Sequence, residues 1–187
     1  MEENGSCAAK DYLRDYYGIL DDMIYGMTKA PRTDSISRNF IVQLLPHSRA
    51  GIAMSERLLI CSDYLPLREI AQNIIREEKK RIGETERMLR HSSREKNSCG
   101  ELCLYEDNFR RITELMFREM RCAEVVERIN CDFIREMIPH LRGAVHMAEN
   151  ALDFNVFPPL RSVLNDIVRT DTRTASQLQR ILCAIDC

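Results

Sequence analysis

The stretch FIREMIPHLRGAVHMAENAL, residues 133–152, repeats in outline an earlier one, FIVQLLPHSRAGIAMSERLL, residues 40–59. Phe, Ile, Pro, His, Arg, Met, Glu and Leu recur in the same places, 93 positions apart. Carried without a gap over 40–89 and 133–182, the comparison makes fifteen of fifty pairs identical, among them Pro66-Leu67-Arg68 with Pro159-Leu160-Arg161. Upstream the match is weaker, Ile19, Met23, Met27 and Ala30 facing Ile112, Met116, Met120 and Ala123. A tandem repeat is the economical reading, and it sets the architecture before any local detail does. Unit one is placed at about 10–92 and unit two at about 103–187, with a polar linker over about 93–101, all within one helical domain, 1–187.

Each unit reads as three helices. In unit two, apolar or small residues fall at 133, 137, 144, 147, 151 and 154, with His140 in the same register, a spacing that holds one helix face against a partner. Unit one repeats that register from 40 to 58. Pro66 and Pro159 sit in the first turns of the third helices, where a missing N–H costs nothing. Their seams run through Leu67, Ala71, Ile74, Glu78 and Thr85, and through Leu160, Leu164, Ile167, Asp171, Leu178 and Ile181. The first helices are expected near 10–29 and 104–128. Short connections between second and third helices imply antiparallel neighbours. The expected fold is all-α: a ferritin-like four-helix bundle built from two tandem three-helix units, with the first helices as a cover.

Composition agrees. Seven Gly, six Pro, six Tyr, six Phe and no Trp in 187 residues suit helices better than sheets. A net charge of −2 argues against non-specific binding to nucleic acid or to an anionic membrane. The start, MEENGSCAAKDYLRDYYG, has neither the cationic head nor the apolar centre of a secretory signal, so a cytosolic protein is expected. In that compartment most of the eight cysteines would be free thiols.

Pro46 and Pro139 fall inside their helices, which predicts a kink at about 3 kcal/mol each. The next residues, His47 and His140, lie on the seam, with Met54 and Met147 two turns further on and Met137 one turn before His140. Met23 with Met27, and Met116 with Met120, are i,i+4 pairs on the preceding helices. Two readings stay open. Buried imidazole and thioether groups favour a soft cation such as Cu(I). Methionine is also an ordinary gap-filler, and a seam histidine can bond a carbonyl freed by the proline. Glu78 and Asp171, equivalent by the repeat, intrude on the third-helix stripes and need a partner, either His47 and His140 or a nearby arginine.

At these residues the chain resembles the bacterial family called domain of unknown function 305, ferritin-like helical proteins of which some are secreted and bind copper. Its hallmark reads like Met-Ile-Pro-His-His, a small residue, then Met-Ala. EMIPHLRGAVHMAE (136–149) is close to it and QLLPHSRAGIAMSE (43–56) looser. The resemblance implies a ferritin-like core and a copper site carried by His47, Met54, His140 and Met147, with Met23, Met27, Met116 and Met120 on the preceding helices. The departures are specific. The second histidine of the hallmark is Ser48 in one unit and Leu141 in the other, and the family's later Gln, Glu and Met appear as Glu78, Arg81 and Thr85 and as Asp171, Thr174 and Leu178.

Other chemistries lack their residues. A di-iron centre needs Glu three before each histidine, where Leu44 and Met137 stand. No Gly-rich phosphate loop, G-x-S-x-G or H-E-x-x-H occurs, and Cys99-x3-Cys103 and Cys183-x3-Cys187 are not the C-x2-C of common zinc sites. His146 reads as a boundary residue. The function expected is non-enzymatic, with copper or with protein interaction as the alternatives, and self-association into a homo-oligomer stays open.

Overall fold

A computed structural model describes residues 3–90, 96–185 and 187, with side chains from residue 9. Six helices follow one another: α1 (Glu3–Thr28), α2 (Ile36–Cys61), α3 (Leu65–Leu89), α4 (Cys99–Arg121), α5 (Ile129–Leu152) and α6 (Pro158–Ala184). The described residues form no strand. The architecture is all-α, as the apolar spacing requires.

α2 and α5 pack against each other at the centre. α3 and α6 lie on one side of that pair and α1 and α4 on the other, so three two-helix layers share a single core. The first helices therefore do more than cover a bundle: with α2 and α5 they close a second ring of four. Ser62, just past α2, meets Asn130 at the start of α5, and Ser37 at the start of α2 receives the Phe157 N–H beyond the end of α5. The central helices are thus antiparallel.

Both interior prolines are accommodated within continuous helices, 36–61 and 129–152. Pro46 is covered by α1, and Gly26 permits this approach, since a Cβ there would stand 2.7 Å from the Pro46 Cβ. Pro66 and Pro159 occupy first turns as expected. The arginine two residues after each proline turns back on the preceding helix end. Arg68 donates to the Leu59 and Ser62 carbonyls at 2.6 Å, and Arg161 to those of Leu152 and Phe154 at 3.5 and 3.1 Å. These carbonyls have lost their helical partners, and a cation at the C-terminal end also meets the helix dipole.

Two boundaries differ from expectation. α4 begins at Cys99 because Ser98 and Glu101 form a capping box, each satisfying an N–H of the other's segment. It ends at Arg121, and the chain reaches α5 through a turn in which Glu127 takes a left-handed conformation, φ 55°. Within the expected linker, residues 93–95 lie outside the described residues. Asn97 is pinned, its backbone N–H donating to Asp34 O at 2.9 Å and its side chain accepting from Ile36 N–H at 2.9 Å. Among the described residues, no helix is long and apolar enough to cross a membrane.

Candidate functional site

Every candidate residue is inside. His47, His140, Met23, Met27, Met54, Met116, Met120, Met137 and Met147 are all 3% exposed or less, a level at which any unpaired polar atom carries a real cost. The two imidazoles meet at the α2/α5 contact and stack, ring centroids 3.8 Å apart and planes within 10°.

The hydrogen-bond partner of the pair differs from the one expected. Each proline frees a carbonyl one turn back on its own helix, yet His47 Nε2 lies 3.1 Å from the backbone oxygen of His140, across the interface. That acceptor requires Nε2 of His47 to carry the proton, which leaves Nδ1 with a bare lone pair. Nδ1 of His47 and both ring nitrogens of His140 have no hydrogen-bond partner. Burial, with a smaller push from nearby Arg81, lowers His47 to about 3, and burial first, then His47 and Arg81, holds His140 well below its ordinary value. Both rings are neutral across the physiological range, the form in which imidazole binds metal.

The carboxylates take a different partner from the histidines. Arg81 of α3 bridges to α6, donating to Glu78 Oε1 of its own helix at 2.5 Å and to Asp171 Oδ1 of α6 at 2.9 Å. All three are buried. Burial raises Glu78 to about 7 against the pull of Arg81, while the two carboxylates hold the guanidinium above its ordinary range. Of the two partners left open by the sequence, the arginine is the one found. Glu78 still borders the imidazoles: a Cβ placed on Gly51 would lie 2.9 Å from His140 Nε2 and 3.8 Å from Glu78 Cγ. Ser48, next to His47 in sequence, reaches Glu78 with its hydroxyl, which pulls the carboxylate back toward its ordinary range.

Met23 and Met27 of α1 and Met116 and Met120 of α4 are buried from the layer that those two helices share. Met116 packs on α5 from α4, its thioether filling the notch at Gly143, where a Cβ would stand 2.0 Å from Sδ. His140, by contrast, turns Nε2 toward Gly51 on α2 and Glu78 on α3. His146 is at the surface with Nδ1 3.1 Å from Glu149. Among the described residues, no group of three or more His, Cys, Asp or Glu side chains is placed to hold a metal ion.

Two polar pairs escaped the reading of the sequence. Tyr12 of α1 donates to Glu136 of α5 at 2.7 Å, and Tyr105 of α4 to Gln43 of α2 at 3.3 Å. The residues correspond at the same 93-residue offset, which is the signal that could have found them. A disulfide, Cys131–Cys187, was also missed, and Cys61, Cys99, Cys103, Cys122 and Cys183 are free.

Fold and buried centre together define a helical bundle with a neutral imidazole pair and methionines in its core. The chain belongs to the family described as domain of unknown function (DUF305), whose model matches residues 37–182. Among solved structures it is similar to CopM in the Ag-bound form obtained by soaking, with 24% identity and TM-score 0.58 over 79% of this chain and 95% of that one. CopM in the Cu(II)-bound form shares 23% identity, with TM-score 0.60 over 79% of this chain and 96% of that one. At such identities the likeness is one of fold. A search of the curated proteins returned no match.

Proposed function

We propose that this protein is a non-enzymatic member of its family that binds a soft monovalent cation, Cu(I) or Ag(I), at the central imidazoles. The observation that carries this reading is the set of three buried ring nitrogens without a partner, one of them a lone pair fixed by the His47–His140 bond. Unsatisfied polar atoms in a core are rare and call for a cause, an ion among them. His47 and His140 would supply nitrogen, and Met54, Met137 and Met147 on the same two helices would supply thioether sulfur, a donor set that fits a soft ion. The carboxylates do not fit a hard one, because Arg81 already neutralises them. CopM, similar in fold, has been obtained in Ag-bound and Cu(II)-bound forms.

The second reading is a structural or interaction module that has kept the fold and lost its ligands. It is favoured by the same Arg81 bridge, which stands where the family carries a further carboxylate. Anaerobic Cu(I) competition titration of protein with its free thiols alkylated decides between them. Saturable binding lost on replacing His47 and His140 together is the expected result. Absence of saturable binding, or binding indifferent to that replacement, leaves the second reading.

The sequence pointed to the cytosol. The Cys131–Cys187 bond supports instead an oxidising compartment, where such bonds persist.

A further inference from the structure

The end of the bundle where α2 stops and α5 starts carries three cysteines. Cys61 is the last residue of α2, and Cys131 lies in the first turn of α5. Cys187 is bonded to Cys131 with Cα atoms 5.7 Å apart. The two helix ends are tied together by the Ser62–Asn130 contact, 2.5 Å, immediately beside Cys61 and Cys131. A cleft of about 390 Å³ opens at this place, lined by Cys61 and Cys131, with Asp63, Glu127 and Asn130 on its wall and Ile185 from the C-terminal segment. Cys61 is half-buried and its thiol is free.

We propose that reducing the Cys131–Cys187 bond creates a thiolate site for a thiophilic cation in this cleft, formed by Cys61, Cys131 and Cys187. This goes beyond the imidazole site and does not depend on it. In the oxidised protein two of the three sulfurs are spent on each other and have no anionic form. An external dithiol supplies two electrons and two protons, the S–S bond becomes two thiols, and the dithiol closes to its own disulfide. The cation then displaces the thiol protons to solvent and is held by sulfur. Three features favour it. Cys131 at the N-terminal turn of α5 meets the positive end of the helix dipole, which stabilises its thiolate. Cys187 stays near after reduction, since Ile185 remains in the cleft wall and its N–H is bonded to Ile181 O at 3.0 Å. Asp63 and Glu127 outnumber Arg128 in the cleft lining, so its charged residues sum to a net negative charge. Borderline Zn(II), which takes Cys thiolates alone or with His and carboxylate, and soft Cu(I) both belong to the class.

The test uses the full chain with Cys7, Cys99, Cys103, Cys122 and Cys183 replaced by serine, its helical content first verified by circular dichroism. Oxidised and anaerobically reduced samples are titrated with Co(II), read by thiolate-to-metal charge-transfer absorption. That band reports thiolate ligation alone, so its absence leaves the imidazole site untouched. The reduced protein is expected to take up one equivalent saturably and the oxidised protein none, with Cys61→Ser weakening the reduced site at least tenfold. Equal responses from the oxidised and reduced samples, or a Cys61→Ser variant that binds like its parent, overturn the proposal.

Discussion

The imidazole of His47 lies flat on that of His140, 3.8 Å away, and each is the other's counterpart at an offset of 93 residues. Other contacts recur at that offset. Asn39 Oδ1 receives the Thr33 N–H at 2.7 Å, and Asp132 Oδ1 receives the Val126 N–H at 2.9 Å, so one device closes the turn before each central helix. The stack itself is not symmetric. His47 donates to the His140 carbonyl, while His140 Nε2 is turned over Gly51, whose counterpart Ala144 has a Cβ. Gly51→Ala tests this. Its Cβ would meet the ring nitrogen at 2.9 Å, and a fully buried ring has little room to yield. Overpacking of this kind costs about 1–3 kcal/mol. Urea midpoints of the two proteins check it, and an unchanged midpoint would mean that the ring moves freely.

Arg81 is expected to be the most damaging single charge to lose. Arg81→Met strands Glu78 and Asp171 in the core, and breaking a buried ion pair by removing one partner costs about 3–5 kcal/mol. The loss should shrink on acidification, as the stranded carboxylates take up protons. Glu78→Gln and Asp171→Asn added to Arg81→Met should restore most of it, because a neutral replacement of the whole cluster leaves no charge uncompensated. Chemical denaturation of the single and triple variants at pH 5 and pH 7.5 reads this directly. A triple variant as weak as the single one would show that the side chains act through shape, not charge.

The helices were legible because their periodicity is strong. The seams through Leu67, Ala71 and Ile74 and through Leu160, Leu164 and Ile167 are buried where the spacing put them. The buried histidines were legible for the same reason, since a seam position is a burial statement. What the seam cannot express is the partner of a polar side chain. Arg81, Glu78 and Asp171 meet across 90 residues, and only packing of α3 on α6 decides that the arginine faces the carboxylates. The Tyr12–Glu136 and Tyr105–Gln43 pairs depend likewise on how the first helices cross the other unit's centre. Cys187 lies one helical turn after Cys183 in sequence, which hid its bond to Cys131, 56 residues away. The start of α4 was missed for a local cause: Ser98-Cys99-Gly100-Glu101 is a capping box, but it sits in a polar run that reads as linker.

Packing of α4 on α5 rests on the notch at Gly143. A Cβ there would overlap the Met116 thioether and stand 2.6 Å from Cγ and 3.1 Å from Cβ, so the whole side chain must shift and not only its tip. Gly143→Ala should therefore destabilise by about 1–3 kcal/mol despite the better helix propensity of alanine. Met116→Ala alone leaves a cavity and should cost about 2–5 kcal/mol. The double variant should lose less than the sum of the two, because the new methyl fills part of the space vacated. A double-mutant cycle in urea measures the coupling, and strict additivity would place Met116 away from the notch.

Glu136 sets a pH dependence whose sign is fixed by its burial. Desolvation raises it to about 8, partly opposed by the hydrogen bond from Tyr12. In the unfolded chain a glutamate ionises near its ordinary value, so between about pH 4.5 and 8 the native state holds a proton that the unfolded state has released. The stability from this group is complete below about pH 4.5 and drains away as the pH rises toward 8, by roughly 1.4 kcal/mol per unit at most. Glu136→Gln removes the ionisation while keeping an acceptor for the Tyr12 hydroxyl, and the protein already contains that arrangement, since Gln43 accepts from Tyr105. The variant should match the parent near pH 4 and exceed it progressively to pH 8, with a flatter profile of urea midpoint against pH. Profiles that run parallel over that range would mean that water reaches the carboxylate and that the α1/α5 contact is open in solution.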